Sequence, residues 1–257
     1  MKQKSQDWIQ IRRKENNKNV YYANIGTGNF NEETALVYAD DSLLTANEKI
    51  TADVVNAFHQ METNYRTLKY KTMAVAPFLM RNHFLNLISN EIRNAKQGKQ
   101  AWAIIKLNNL VDEAMIRKLY KASHAGVKIK LIIRGICVLV PGIPGFSENI
   151  EAISIVDRNL EHSRVLVFAN GGDPLYYITS ADWMVRNFDN RIEVACPVYD
   201  KDNQQEIMDM LNLQLSDNVK ARVIAPGEAN LYKTTKGRQI RSQVEIYNYL
   251  KKKTADK

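Results

Sequence analysis

The fold is decided by the stretch WAIIKL at Trp102–Leu107, together with VDEAMIRKLYKA at 111–122 and VKIKLII at 127–133. Apart from their lysines, the first and third runs are apolar and rich in β-branched residues, which is typical of strands buried on both faces. The middle run repeats apolar residues at helical spacing and leads to Gly126, so it predicts an amphipathic helix with a glycine stop. Strand, helix and strand in this order predict a right-handed parallel β-α-β unit. Arg134 then stands at the carboxyl end of a strand, the edge where open α/β sheets bind ligands.

Strand and helix patterns continue on both sides of this unit, so the chain is expected to be an α/β protein. The first of the remaining helices should start with a capping box formed by Thr45 and Glu48. The pattern changes around residues 68–77, and we place a domain boundary near residue 72, between segments 1–72 and 73–257. The remaining predicted strands are 20–23, 164–169, 175–179, 191–198 and 219–224, and the remaining predicted helices are about 48–65, 81–97, 202–215 and 239–250.

The composition of the 257 residues is that of a globular protein, because 45% are hydrophobic and 25% are charged. These fractions argue against a disordered chain or a coiled coil. No apolar stretch approaches the roughly 20 residues of a membrane-spanning helix, and the most apolar one, 131–140, is broken by Arg134. Residues 1–7 are polar and lack the apolar centre of a secretory signal, so we expect a cytoplasmic protein without a transmembrane segment.

The net charge and the spacing of cysteines and histidines limit the possible partners and cofactors but identify no single partner. The chain carries 36 basic and 28 acidic residues, a net charge of +8, which favours polyanionic partners through counterion release. Nucleic acid, a phospholipid surface, a nucleotide and inorganic polyphosphate all remain open at this point. Cys137 and Cys196 show no metal-ligand spacing with the four histidines, so no metal site is expected.

Two polar turns and one histidine are the candidates for chemistry. The turns 26–29 (GTGN) and 179–182 (TSAD) each follow a predicted strand and are expected to present small polar groups and backbone amides to an anion. His162 and Arg164 lie two residues apart, so strand alternation places both on one face. An imidazole, with a pKa of about 6.5, can act as nucleophile, acid or base near neutral pH, and the neighbouring guanidinium can bind phosphoryl oxygens. On spacing alone, an ordinary hydrogen-bonded histidine is the more frequent outcome.

Blocks along the chain resemble the C-terminal region of the bacterial class 1 polyphosphate kinases, which have a phospholipase D-like fold. The resemblance runs from about residue 8 to the end of the chain. It implies a mixed sheet flanked by helices, in which the second half-domain is complete and the first is truncated. The matching blocks are 21–31 (YYANIGTGNFN), 38–45 (YADDSLLT), 134–137 (RGIC), 141–145 (PGIPG), 147–150 (SENI), 160–164 (LEHSR) and 180–184 (SADWM).

This resemblance implies reversible transfer of the terminal phosphate of ATP to inorganic polyphosphate. It implies that Tyr38, Arg134 and His162 bind the nucleotide or support transfer, with His162 as acid or base and Arg134 as a phosphate clamp. Arg164 is expected to bind phosphoryl oxygens beside His162. Mg²⁺ is implied as a cofactor whose ligands lie outside this chain. Assembly into a homo-oligomer is implied for the full-length enzyme, no specific nucleic acid is expected, and peripheral membrane association is left open.

One departure from the family pattern concerns the nucleophile. The family phosphorylates a histidine in a His-x-Lys pattern before the first turn, and counting back from Gly26 reaches Ser5 and Asp7. The chain is therefore expected to be a C-terminal segment that is inactive as a kinase alone. Two alternatives are kept. One is a phospholipase D-type phosphodiesterase or nuclease, in which a dimer would pair two copies of His162. The other is a non-catalytic module that binds polyanions through its positive charge.

Overall fold

A computed structural model describes residues 8–63, 68–227 and 230–255 of the chain. The α-helices are α1 Glu32–Ala35, α2 Glu48–Thr63, α3 Met80–Lys96, α4 Glu113–His124, α5 Lys201–Leu215 and α6 Ser242–Ala255. The strands are β1 Trp8–Glu15, β2 Lys18–Gly26, β3 Tyr38–Ala39, β4 Ser42–Thr45, β5 Ala74–Ala76, β6 Trp102–Leu107, β7 Lys128–Ile133, β8 Ile150–Ile155, β9 Leu160–Glu161, β10 Val165–Phe168, β11 Leu175–Thr179, β12 Glu193–Pro197 and β13 Ala221–Ile224.

An eight-stranded mixed sheet forms the centre of the molecule, in the order β13-β8-β7-β6-β10-β11-β12-β5. β6, β7 and β8 run parallel, and the remaining neighbours pair antiparallel. The predicted unit of β6, α4 and β7 is confirmed, with Trp102 opposite Lys128. Asp112 caps α4, because its side chain accepts a hydrogen bond from the backbone N–H of Met115. The prediction of an α/β protein with a mixed sheet is therefore confirmed.

Helices cover both faces of this sheet. On one face α3 and α4 bury residues such as Phe84, Met115 and Leu119 against the strands. On the other face α2 and α5 pack together with the strands β1 and β2, and the core there includes Trp8 and Val54. Residues on both sides of position 72 thus share one apolar layer, and burial of that layer from water holds the first segment against the central sheet.

Two smaller sheets bring the first segment to the centre of the fold. β1, β2 and β4 form an antiparallel three-stranded sheet. β3 pairs parallel with β9, with Tyr38 opposite Leu160 and Ala39 opposite Glu161. The sequence did not predict β3 or β9, because two-residue strands are too short to show a periodicity. Their pairing places Tyr38 next to the segment that contains His162.

Several local predictions were wrong. The residue that caps α2 is Asn47, because its Oδ1 accepts from the backbone N–H groups of Lys49 and Ile50. Thr45 Oγ1 instead accepts from the N–H of Asn47.

Two strands were missed as well. β8 was missed, since its residues follow a loop rich in proline and glycine. β1 was missed, since half of its residues are charged and its outer face is exposed. Among the described residues, none of the helices combines the length and apolar character that crossing a bilayer demands.

Candidate functional site

His162 lies between β9 and β10, and its backbone is held from several sides. Its N–H donates to the carbonyl of Ala39 at 3.0 Å, as does the N–H of Ser163 at 2.9 Å. The carbonyl of His162 accepts from Arg164 Nη1 at 3.2 Å and from Asn108 Nδ2 at 3.3 Å. This segment therefore has little freedom to move relative to β3 and β6.

The imidazole of His162 is oriented by Asp40. Nδ1 lies 2.8 Å from Asp40 Oδ1, and the histidine side chain is 17% exposed. The ring of Tyr38 stands beside it, with centroids 4.8 Å apart and planes inclined by 48°. A carboxylate oxygen accepts from Nδ1, and Arg164 Nη2, which can only donate, lies 3.4 Å from Nε2, so both contacts fit the tautomer with hydrogen on Nδ1. The pair therefore selects one tautomer of the ring.

The first predicted turn packs against this pair. A Cβ atom on Gly28 would lie 2.4 Å from Asp40 Oδ2 and 2.6 Å from His162 Nδ1, so only glycine fits there without displacing them. Thr27 Oγ1 donates to Asp40 Oδ1 at 3.1 Å. The expectation that the turn presents free backbone amides to an anion is wrong at Thr27, whose N–H donates to the carbonyl of Asp41 at 2.9 Å.

Arg164 lies on the same side as His162, as its spacing predicts, but it is buried. Its side chain is 10% exposed, and Nε donates to Asp182 Oδ1 at 3.1 Å. Nη1 donates to the carbonyl of Thr27, and Nη2 lies 3.4 Å from His162 Nε2. Burial raises the pKa of Asp182, but the charge of Arg164 and the hydrogen bonds from Arg164 and Asn109 outweigh it and hold that pKa below its usual value. Arg164 and Asp182 thus form a buried ion pair behind the histidine.

The second predicted turn does not present its hydroxyl groups to a ligand, which corrects the sequence-based expectation. Thr179 Oγ1 donates to the carbonyl of Val194 at 2.9 Å, and Ser180 Oγ donates to Glu193 Oε2. Both hydroxyl groups therefore form hydrogen bonds with residues of the neighbouring strand β12. Only Asp182 of this turn faces the site, where it also accepts from the backbone N–H of Asn108 at 2.8 Å.

Arg134 extends from the end of β7 to the same place. Its Nε donates to the carbonyl of Glu161 at 2.9 Å and to Asn108 Oδ1 at 3.1 Å. Within the described part of the chain, its Nη groups make no hydrogen bond to protein. Asn108 bridges Arg134 to the carbonyl of His162. The guanidinium of Arg134 therefore contacts the backbone directly before His162, at the edge of the sheet where β7 ends.

The structure places Tyr38 and Arg164 against the ring of His162, and Arg134 against the carbonyl of the preceding residue. It also adds residues that the sequence did not single out. Asp40 is the most important of them, and it lies inside the block 38–45 that carried the resemblance. Asn108 directly follows β6, so its place at a strand's carboxyl end was a signal that could have found it.

Metal ligation has no support in the region that the structure describes, where no group of three or more His, Cys, Asp or Glu side chains is placed to hold an ion. The two thiols are free, and burial raises the pKa of Cys137 to about 11 and that of Cys196 to about 12. Neither thiol is activated as a ligand or nucleophile. Ser5 and Asp7, where the family nucleophile pattern falls, lie outside the described residues.

Two family models match most of the chain. A family model described as Polyphosphate kinase C-terminal domain 2 matches residues 73–243, and one described as Polyphosphate kinase C-terminal domain 1 matches residues 2–67. The chain belongs to the polyphosphate kinase family.

Individual polyphosphate kinases agree with this assignment. The chain is 53% identical to the polyphosphate kinase of Vibrio parahaemolyticus over 244 residues, which cover 95% of the chain and 35% of that protein. It is 48% identical to the Escherichia coli polyphosphate kinase over 243 residues, covering 94% of the chain and 35% of that protein. The crystal structure of the Porphyromonas gingivalis polyphosphate kinase superposes with a TM-score of 0.90 at 44% identity, covering 95% of this chain and 38% of that one. The chain thus spans about a third of the length of these polyphosphate kinases.

Proposed function

We propose that the chain supplies the nucleotide-binding half of a polyphosphate kinase site, which supports reversible transfer of the terminal phosphate of ATP to inorganic polyphosphate. The observation that supports this proposal is that an oriented imidazole and an arginine with free donors are both attached to the short segment 161–162. His162 is held by Asp40 at Nδ1, its Nε2 has only the long 3.4 Å contact with Arg164 among the described residues, and the Nη groups of Arg134 make no hydrogen bond to the described protein. Family membership supplies the reaction class.

Each predicted residue has a chemical role in this proposal. The free donors of Arg134 can bind two phosphate oxygens in a bidentate arrangement, which is the strongest geometry for a guanidinium. His162 exchanges a proton through Nε2 with an oxygen of the transferred phosphate, while Asp40 stabilises the ring that carries the charge. The ring of Tyr38 lies against His162 and offers an aromatic surface or a hydroxyl to the nucleotide.

Arg164 has a different proposed role from the one first expected. Its Nε and Nη1 groups donate to Asp182, Thr27 and His162, so few donors are left for a phosphate. We therefore propose that it acts as a positioning residue. Its charge is balanced by Asp182, and its contact with the carbonyl of His162 holds the histidine in place.

The remaining expectations stay proposals. ATP or ADP and polyphosphate are the proposed substrates. Mg²⁺ stays a proposed cofactor whose ligands lie outside this chain, and no step is derived through it. Cytoplasmic location, a homo-oligomeric full-length enzyme, the division near residue 72 and the inactivity of the chain alone follow from the sequence and the resemblance.

Binding of Mg-ADP to the purified chain tests this proposal by calorimetry. Arg134→Ala should weaken binding by about 10-fold or more, because a hydrogen bond to a charged group contributes about 1.5–3 kcal/mol. Arg117→Ala is the matched control, since Arg117 is an exposed arginine on α4 that forms an ion pair with Glu113.

Two results would contradict the proposal. If Arg134→Ala and His162→Ala leave binding unchanged, and DNA and polyphosphate bind equally with a steep salt dependence, the chain is a polyanion-binding module. If the chain turns over a chromogenic phosphodiester without ATP, it is a phosphodiesterase instead.

A further inference from the structure

A buried charged cluster lies immediately behind the histidine segment and has no role in the chemistry above. Lys106 Nζ donates to Glu161 Oε2 at 2.7 Å and to Ser163 Oγ at 2.7 Å. The side chains of Lys106 and Glu161 are only 6% and 4% exposed. A buried charge pair of this kind adds little net stability compared with apolar packing, so stability alone does not account for it.

The position of the cluster suggests a further role. Glu161 and Ser163 are the two chain neighbours of His162, and one ammonium group binds both of their side chains. The carbonyl of Glu161 also accepts the Nε of Arg134. Glu161 is therefore joined through its backbone to both candidate ligands of the nucleotide, and its side chain faces away from them into the cluster.

The side chain of Glu161 is in turn held by the two last helices. Gln243, in the first turn of α6, donates from Nε2 to Glu161 Oε1 at 2.8 Å, and Gln214 of α5 donates to Glu161 Oε2 at 2.7 Å. Gln243 also exchanges two hydrogen bonds with the backbone of Asn159, at 3.0 and 2.8 Å. The carboxylate of Glu161 thus binds side chains from β6, α5 and α6, three elements that are distant in sequence.

A cavity lies beside this buried carboxylate, so the hydrogen bonds carry much of the connection between the helices and Glu161. A cavity of about 280 Å³ separates α6 and α5 from the sheet, and it is lined by Glu161, Gln243 and apolar residues such as Ile246 and Leu250. Atoms that line a cavity lack dispersion contacts on that side, so apolar packing fixes α6 less firmly there. The polar contacts of Gln243 bridge that gap.

We propose that Gln243 and Lys106 are positioning residues which act through Glu161 to set the placement of His162 and Arg134. The C-terminal helix α6 is then part of the support of the phosphate-transfer site. The inference rests on the proposed function for the roles of His162 and Arg134, but the geometric coupling it asserts can be measured without any turnover.

The experiment uses the whole chain with ¹⁵N-labelled histidine. Ring ¹⁵N signals of His162, assigned by their loss in His162→Gln, report which nitrogen carries the hydrogen. Gln243→Ala removes the donor to Glu161. Gln243→Glu keeps an acceptor for the N–H of Asn159 but replaces the donor to Glu161 and to the carbonyl of Asn159 by a second carboxylate, which repels Glu161. Tyr249→Phe is the matched control, because Tyr249 ties α6 to Asp209 at 2.9 Å without touching Glu161.

Both Gln243 variants should shift the His162 ring signals and weaken Mg-ADP binding by about two- to tenfold or more, since the hydrogen bond to Glu161 alone corresponds to that factor. Tyr249→Phe should change neither. The inference is overturned if the Gln243 variants leave the ring signals in place, or if Tyr249→Phe moves them equally, which would mean that helix docking alone matters. If the unmodified chain binds no Mg-ADP, the proposed function fails, and the ring signals still decide the coupling.

Discussion

Replacing Gly28 by alanine would test the geometry of the histidine pair most directly. The added Cβ would lie 2.4 Å from Asp40 Oδ2 and 2.6 Å from both Asp40 Oδ1 and His162 Nδ1. Ordinary contact begins at 3.4 Å, so the carboxylate must retreat by about 1 Å. Because the new carbon touches both ends of a 2.8 Å hydrogen bond, that bond is expected to break.

The expected size follows from the loss of one hydrogen bond. A net contribution of about 0.5–1.5 kcal/mol corresponds to a roughly two- to tenfold fall in the preference of the neutral ring for hydrogen on Nδ1. The measurement is the pair of ring ¹⁵N shifts of His162 at a pH where the ring is neutral, together with Mg-ADP affinity, which should fall by a similar factor.

Gly98→Ala serves as the control for this substitution. Gly98 has a φ of +68°, so alanine strains the backbone there, but nothing lies within 4 Å of its added Cβ. It should lower the melting temperature without moving the His162 signals. A Gly28→Ala protein with unchanged ring shifts and undiminished affinity would refute the assignment of Asp40 as the group that orients His162.

Other substitutions probe the supporting structure. Arg164→Ala leaves the carboxylate of Asp182 buried without its cation, so the free energy of unfolding in urea should fall by about 3–5 kcal/mol; a loss below about 1 kcal/mol would show that the pair is not structural. His83 packs edge-on against Phe84 and Tyr177, and burial lowers its pKa, so the unfolded chain binds a proton more readily than the folded one. Stability should therefore fall as pH drops below about 6.5 toward the lower pKa of the folded state, and His83→Phe should flatten that part of the stability curve in urea titrations; an unchanged slope would contradict a neutral His83.

The central part of the fold was predictable, because its signals are local. The apolar runs around β6 and β7 and the helical spacing of α4 lie within one short stretch, and Gly126 marks the end of the helix with a φ of +93°. The same unit placed Arg134 at the carboxyl end of a strand. Some predicted element boundaries differ from the observed ones by a few residues, because the capping contact comes from a residue distant in sequence. α6 begins at Ser242, since the N–H and hydroxyl of Ser242 bind Asp217.

The connections that complete the site were not predictable from local pattern. Asp40 and His162 are 122 positions apart, and nothing in the spacing of either residue indicates the other. The hydroxyls of Thr179 and Ser180 suggested an anion cradle, but the adjacent strand offers them buried acceptors, and buried hydroxyl groups must be satisfied. Only tertiary structure decides which of two partners a polar side chain takes.

The pairing of β3 with β9 makes the site depend on a contact between distant parts of the chain. Tyr38 and Asp40 reach His162 only when a loop of more than a hundred residues is closed, and this closure costs chain entropy. A chain that has folded its central sheet alone has no oriented imidazole. A nucleotide that binds at this place therefore recognises only the completed molecule, and by mass action it stabilises the first segment and the sheet as a unit.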